Sequence, residues 1–175
     1  MNIYLFPTEA EAEVFYRLSP DSKVVISGVG MAATAATVLR LMGEGVVRSD
    51  DRIILAGVAG TYGDIALCEV VEVVEERCSE LPERFQRSYR VAPSTTLRAV
   101  VANTVHGANA PILGASIESM EGAALFAMAE VANIGVTEIR AISNRVGEPF
   151  ERWRFREAVE ALAEALVDLK FVDYE

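Results

Sequence analysis

The feature of this 175-residue sequence that most restricts its fold is the alternation of short apolar runs with helix-forming stretches. The runs KVVIS (residues 23–27) and RIILA (residues 52–56) are apolar through their centres, and glycines follow both. A strand without polar alternation is buried on both faces, as in a parallel sheet covered by helices. Ala-rich stretches at 31–42 and 121–133 supply such helices. The alternation therefore predicts an α/β fold, a three-layer α/β/α sandwich around a mostly parallel, twisted sheet.

The other elements follow from the same kinds of pattern. Residues 2–6 predict a strand that ends before Pro7, and Thr8-x-x-Glu11 is typical of a capping box at the start of a helix. Apolar residues recur at helical spacing within 151–170, which predicts a closing helix. The remaining predictions are strands at 67–74, 97–104 and 137–142 and a surface loop at 81–96.

Composition restricts the class of function. The length suits one domain over residues 1–175. The net charge of −10, without a Lys/Arg cluster, disfavours a nucleic-acid partner. Mean hydropathy is +0.25, yet no apolar run reaches the length of a membrane span, so we expect no membrane partner. The two cysteines form no CxxC, and the first residues lack the basic segment of a signal peptide, which favours a cytoplasmic protein.

Candidate chemistry concentrates where predicted strands end, which is where ligands bind in open α/β sheets. These positions supply carboxylates, glycine turns and one carboxamide. These positions offer no metal-ligand set and no Ser/His/Asp triad, and the single histidine, His106, is too few for a histidine metal site. We therefore expect neither a metal nor an organic cofactor. The candidates are Glu11, Gly28, Val58, Ala59, Gly60, Glu118, Met120, Glu121, Arg140, Ser143 and Asn144.

Two motifs carry a resemblance to a known family. The run IESMEGAALFAMAE at 117–130, followed by EIRAISNRVGEP at 138–149, resembles the signature of the futalosine hydrolase family. That family belongs to the nucleoside phosphorylase and methylthioadenosine/S-adenosylhomocysteine nucleosidase superfamily. Other pieces occur in the family's order, namely PTEAEAE, SGVGMAA, AGVAG and ANTVHG.

The resemblance implies a fold of the nucleoside phosphorylase type, working as a homodimer or higher homo-oligomer on a small purine nucleoside. It assigns Glu121 to the 2′ and 3′ hydroxyls of a ribose and Met120 to the face of the sugar. Glu11 would position and deprotonate the attacking water, and Asn144 would hold the leaving purine. Ser143 and Arg140, assisted by Glu118, would support the loop that carries Asn144. The residues that would contact the substrate are Gly28, Val58, Ala59 and Gly60.

Cleavage of an N-glycosidic bond calls for these residue types independently. The reaction builds oxocarbenium character on the sugar and negative charge on the departing base. One carboxylate can accept from two vicinal hydroxyls, and a second can take a proton from water. The leaving purine needs a proton or hydrogen bond at N7. A carboxamide at Asn144 both donates and accepts, which suits a 6-oxopurine such as hypoxanthine, whereas adenosine-cleaving members of the superfamily carry Asp there.

The function expected from the resemblance is hydrolysis of futalosine to hypoxanthine and dehypoxanthine futalosine, a step of menaquinone synthesis. The alternatives are a methylthioadenosine/S-adenosylhomocysteine nucleosidase, a purine nucleoside phosphorylase, or a non-catalytic nucleoside-binding oligomer of the same fold. Residues 28–33 and 57–63 contain no Arg or Lys, which favours water over phosphate as the nucleophile. The non-catalytic alternative is based on segments 81–94 and 107–116, which are short compared with the family.

Several candidates also have purely structural explanations. Glu11 can serve only in the helix cap, Glu121 only as an acid favoured by a helix dipole, and Asn144 only as a turn residue. Glu118 can be a solvent-exposed acid, or an acid that stabilises a loop by pairing with Arg140. These alternatives make different predictions about which side chains are buried together.

Overall fold

The computed structural model describes residues 1–107 and 110–171. Positions 108–109, in the shortened segment, and 172–175, at the end of the predicted domain, lie outside the described residues. None of the described helices is long and apolar enough to cross a lipid bilayer. The elements are β1 (Asn2–Phe6), α1 (Glu9–Leu18), β2 (Lys23–Ile26), α2 (Met31–Gly43), β3 (Arg52–Thr61), β4 (Val70–Arg77), β5 (Ser88–Arg90), β6 (Arg98–Thr104), β7 (Ile117–Ser119), α3 (Gly122–Ala132), β8 (Gly135–Arg145) and α4 (Phe155–Val167), with 3₁₀ turns at Glu83–Phe85 and Phe150–Arg152.

The sheet is mixed. Strands β2, β1, β3 and β8 lie side by side and run parallel. Strand β4 is antiparallel to β8, because residues 62–69 alone join β3 to β4 and are too few for a crossover that restores the direction. Strand β6 pairs with β4, and β7 pairs with both β6 and the end of β3. The paired strands β3, β8, β4, β6 and β7 therefore form a closed circuit, in which each strand pairs with the next and β7 pairs again with β3. The α/β class is confirmed, whereas the sheet is less parallel than predicted.

Helices pack on both faces of β1, β3 and β8. Along β3, Ile53 and Leu55 point into a core that includes residues of α2 and α3. Ile54 and Ala56 point the opposite way, into a core that includes residues of α1 and α4. This alternation follows from the two-residue period of a strand and explains why residues 53–56 are all apolar. A three-layer arrangement of the whole chain stays a prediction.

Some element bounds differ from the predicted ones. Strand β3 does not end at residue 56 but continues to Thr61, with a register irregularity between Ala59 and Gly60. The predicted loop at 81–96 contains β5, and β7 was not predicted, because three-residue strands are too short to show a period. Strand β7 leads directly to the predicted site residues Met120 and Glu121.

Candidate active site

The carboxylate of Glu11 is buried at the start of α1 and turned toward the sheet. Thr8 caps the helix: its hydroxyl accepts from the Glu11 N–H at 3.2 Å and donates to Glu11 Oε2 at 2.7 Å. Glu11 Oε1 accepts from the backbone N–H of Val58 at 3.0 Å. In a capping box the acid would accept from the N–H of the cap residue itself. The Glu11 carboxylate instead accepts from the Thr8 hydroxyl and from Val58 of β3, so its contacts are not limited to the helix cap.

Gly57 provides the space for two charged side chains. It pairs in register with Arg140 of β8. A Cβ at this position would lie 2.6 Å from Arg140 Nη1 and 2.8 Å from Glu11 Oε1. The sequence predicted a turn here, but Gly57 lies within β3. It is required for the close approach of side chains rather than for a change of direction.

Arg140 is fully buried and binds carboxylates on two sides. Its Nε donates to Glu138 Oε1 at 2.7 Å, and its Nη2 donates to Glu121 Oε2 at 3.1 Å. Its Nη1 lies 3.5 Å from the carbonyl oxygen of Val58. Burial alone would lower the pKa of Arg140, but the charges of Glu138 and Glu121 raise it overall, so the guanidinium stays cationic.

The expected support of the Asn144 loop by Arg140 is therefore replaced by contacts with Glu121 and Glu138. In the structural alternative for Glu118 its partner was Arg140, but Glu118 Oε2 accepts from the hydroxyl of Tyr62 at 2.7 Å. Glu118 belongs to β7 at its pairing with Gly60, whereas Arg140 pairs with Gly57, farther back along β3.

Glu121 is buried directly after β7. That strand runs antiparallel to the end of β3 and leads the chain back toward the middle of β3. Glu121 Oε1 accepts from the Gly30 N–H at 2.9 Å, and Oε2 accepts from Arg140 and, at 3.3 Å, from the Met120 N–H. Gly30 has a φ of +93°, which favours glycine, so the turn after β2 can present this amide. Gly30 is thus the glycine of that turn that binds the Glu121 carboxylate, and the contact of Gly28 with substrate stays a prediction.

Ser143 and Asn144 form a second polar group at the end of β8. Ser143 Oγ donates to Asn144 Oδ1 at 2.8 Å, and Asn144 Nδ2 donates to the Arg145 carbonyl at 3.1 Å. Asn144 pairs in register with Gly60, where a Cβ would lie 3.1 Å from Asn144 Nδ2. Ser143 thus orients the carboxamide, and one hydrogen of the Asn144 amide remains for another acceptor.

The electrostatics around Glu11, Glu121 and Arg140 suit a base, Glu11, beside a hydrogen-bond acceptor that is held in place, Glu121. Burial raises the pKa of Glu11, while the hydrogen bonds from Thr8 and Val58 and the charge of Arg140 oppose that rise. A carboxylate with a raised pKa takes a proton more readily than a surface glutamate. Glu11 and Glu121 both lie near the Arg140 guanidinium, and the cation keeps two buried carboxylates in one place.

A groove of about 780 Å³ lies elsewhere, between α3, β5 and the amino ends of β3 and β8. Arg52, Arg90 and Gly135 line it. Because ligands of α/β sheets bind beyond the carboxyl ends of strands, we place the candidate active site at the Glu11–Glu121 group instead.

Solved structures share this architecture. The chain is similar to the 5′-methylthioadenosine/S-adenosylhomocysteine nucleosidase from Helicobacter pylori, with a TM-score of 0.80 and 12% identity over 95% of this chain and 96% of that chain. The chain has a nucleosidase fold. The futalosine hydrolase of Helicobacter pylori gives a TM-score of 0.78 at 12% identity, with 95% of each chain covered. The 5′-methylthioadenosine nucleosidase of Arabidopsis thaliana gives 0.78 at 17% identity, covering 95% of this chain and 93% of that chain. No family model and no curated protein matches the sequence.

Within this nucleosidase fold, the predicted site residues fall into two groups. Glu11, Glu121 and Arg140 share one hydrogen-bonded cluster, which also uses the Val58 backbone. Asn144 belongs to the second group, farther along β3 and β8. The remaining predicted positions are the half-buried Gly28, Glu118 and Met120 and the buried Ala59, Gly60 and Ser143.

Sequence reasoning missed Glu138, which binds Arg140 from behind. A signal for it existed: Glu138 and Arg140 are two positions apart in the otherwise apolar stretch TEIRAIS. Residues two apart share one face of a strand, so opposite charges there indicate a buried ion pair. The contacts of Thr8 with the Glu11 carboxylate and of Gly30 with Glu121 had no comparable signal.

Proposed function

We propose that this chain is a purine nucleosidase that hydrolyses the N-glycosidic bond of a 6-oxopurine nucleoside, with futalosine as the first candidate. The observation that carries the proposal is the pair of buried carboxylates, Glu11 and Glu121, arranged around the cation of Arg140. The similarity in fold to a methylthioadenosine/S-adenosylhomocysteine nucleosidase and to a futalosine hydrolase supports it.

In this proposal Glu121 binds the ribose. Its two oxygens accept from Gly30, Met120 and Arg140, so the carboxylate is held in one orientation before substrate arrives. Oε1 accepts one hydrogen bond and has a lone pair for one ribose hydroxyl. Oε2 already accepts two, so the second hydroxyl binds there in place of the longer contact from Met120 at 3.3 Å. Charge-assisted hydrogen bonds of this kind are stronger than neutral ones and increase electron density on the sugar as positive charge develops.

Glu11 acts on the attacking water. The N–H of Val58 and the hydroxyl of Thr8 fix its two oxygens, and its raised pKa makes it an effective base. Asn144 binds the departing base, and its free N–H donates to an oxopurine oxygen or to N7. Its carboxamide, in place of a carboxylate, is the feature that favours hypoxanthine over adenine.

The same contacts favour water over phosphate as the nucleophile. The Gly30 N–H, which could have bound an anion, already donates to Glu121. A phosphate dianion would also approach two carboxylates, Glu11 and Glu121, against one arginine. Like charges repel each other strongly in a buried site, and this repulsion disfavours phosphate.

The test is incubation of the purified protein with futalosine, inosine and methylthioadenosine, with and without phosphate, followed by chromatography of free base. We expect hypoxanthine from futalosine without phosphate. Adenine from methylthioadenosine would support the alternative nucleosidase, and strict phosphate dependence would support a phosphorylase. Binding of a nucleoside without release of base would support a non-catalytic binding protein.

The pH dependence tests the role of Glu11. Only its ionised form can accept a proton, so kcat/KM rises with pH through the pKa of Glu11, which burial places above the ordinary glutamate value. Thr8→Val removes the hydroxyl that donates to the ionised carboxylate, so the pKa of Glu11 rises further. The acidic limb of the profile of kcat/KM against pH, where activity rises with pH, then moves to higher pH. Thr8→Ser keeps the hydroxyl and should keep the limb in place. A limb that does not move in Thr8→Val would show that another group titrates.

A further inference from the structure

A second layer of charged groups lies behind Arg140. Glu138 and Arg140 occupy one face of β8, and Glu138 binds the Nε edge of the guanidinium at 2.7 Å. With Nε held there, Nη2 donates to Glu121 at 3.1 Å and Nη1 lies 3.5 Å from the Val58 carbonyl oxygen. The position of Arg140 relative to Glu121 therefore depends on Glu138.

Glu138 is itself in contact with another buried acid, Glu76 of β4, and we call these two residues the carboxyl pair. Both side chains are completely buried. Within the described residues, neither Glu138 Oε2 nor Glu76 Oε1 accepts a hydrogen bond from an N–H or O–H of another group. Both atoms crowd Gly122, where an added Cβ would collide with each of them. Two adjacent buried carboxylates cannot both be ionised, so the pair shares one proton.

The shared proton belongs to Glu76. Glu138 accepts directly from the Arg140 Nε–H, which favours its ionised form. Burial raises the pKa of both acids and Arg140 opposes the rise for both, but the pKa of Glu76 is raised well above its ordinary value, because the charge of Glu138 adds to the effect of burial. A protonated Glu76 donates to Glu138 and leaves Glu138 ionised, which is the state that binds Arg140. Protonation of Glu76 also reduces the number of unpaired charges in the core.

The carboxyl pair also contacts the start of α3, next to Glu121. Thr104 Oγ1 donates to Glu76 Oε2 at 2.8 Å and accepts from the Ala123 N–H at 2.8 Å. Gly122, which packs against both acids, directly follows Glu121. The pair thus borders Glu121 on two sides, through Arg140 and through the first turn of α3.

We propose that Glu138 and Glu76 form a positioning pair that holds Arg140, and through it Glu121, in the orientation that binds the ribose of the substrate. The ribose part of this proposal rests on the nucleosidase function proposed above. Neither acid contacts the reacting atoms. Glu138 binds the arginine, and Glu76 supplies the hydrogen bond that holds Glu138.

The activity test compares inosine with 2′-deoxyinosine, or futalosine with its 2′-deoxy analogue. In Glu138→Gln the ratio of kcat/KM for the ribonucleoside over the deoxynucleoside should fall by about tenfold, within the range that residues behind a binding group commonly show. Glu76→Leu cannot donate to Glu138 and should lower the same ratio. Glu76→Gln, whose amide can donate as the protonated acid does, should restore it.

The matched control is Glu72→Gln. Glu72 is also a fully buried acid of β4, but it binds Ser94 and Thr95, away from Arg140. We expect Glu72→Gln to lower stability and to keep the ratio between ribose and deoxyribose substrates. Equal ratios in wild type and Glu138→Gln would overturn the positioning role, even if Glu138→Gln is less stable.

A second readout does not depend on turnover. In nitrogen-15-labelled protein, the Arg140 Nε–H resonance should be protected from solvent exchange, because Glu138 accepts from it in a buried site. Glu138→Gln should weaken that protection, and Glu72→Gln should not. Unchanged protection in Glu138→Gln contradicts the positioning pair, whereas changed protection without base release by wild type contradicts the proposed nucleosidase function alone.

Discussion

Glu121→Gln is expected to lower kcat/KM on a purine ribonucleoside by about a hundredfold to a thousandfold. A hydrogen bond to a charged group contributes about 1.5–3 kcal/mol, and the variant weakens two of them, to the 2′ and 3′ hydroxyls. Glutamine keeps the size of the side chain and still accepts from the Gly30 N–H, but its amide cannot accept from both Arg140 and the sugar. Steady-state kinetics of base release measures the loss.

The control for this variant is Glu130→Gln. Glu130 lies on α3, near the opposite end from Glu121, and its side chain is exposed beside Arg87. It should keep wild-type kinetics. Because Glu121→Gln also leaves Arg140 with one fewer ionised partner, its folding is checked by urea unfolding in the same buffer. A folded Glu121→Gln protein with the kinetics of Glu130→Gln would show that Glu121 does not bind the ribose.

The sequence predicted most of the helices and the central strands, because these have clear periodic patterns. Strand β1 has its predicted bounds, and the Thr8 cap is confirmed by its hydrogen bond from Glu11. The direction of β4 was not predictable in the same way. It depends on how β4 pairs with β8, and a local apolar pattern contains no information on such long-range pairing.

The candidate site was predicted as a set of residues but not as a set of contacts. Glu11, Glu121 and Arg140 followed from the motif resemblance, and the structure adds that Glu11 and Arg140 meet at Gly57 while Glu121 binds Arg140. A glycine after an apolar run is typical of a turn, so its actual role, space for two charged side chains, could not be inferred from its position. Glu76 lies near Glu138 because β4 pairs with β8, a pairing that the sequence did not predict.

Arg140→Met is expected to cause the largest loss of stability. Removing one partner from a buried ion pair costs about 3–5 kcal/mol, because the remaining charge stays buried without compensation. Here two acids, Glu121 and Glu138, lose their shared cation. Against a typical total of about 5–15 kcal/mol for a domain, this loss lowers the urea midpoint strongly. Arg40→Met is the control, because Arg40 is an exposed residue paired with Glu44 on α2 and contributes about 0.5 kcal/mol or less.

The pH dependence of that loss identifies its cause. Burial raises the pKa of Glu138 in the folded state and Arg140 opposes that rise, so without Arg140 the pKa of Glu138 lies still farther above its value in the unfolded chain. For acids shifted in that direction, stability is retained below the unfolded pKa and lost as pH rises through the folded pKa. The difference in unfolding free energy between Arg140→Met and wild type should therefore be largest at neutral pH and shrink under mildly acidic conditions. A difference that is constant with pH would mean that the variant loses packing around the side chain rather than the compensation of two buried carboxylates.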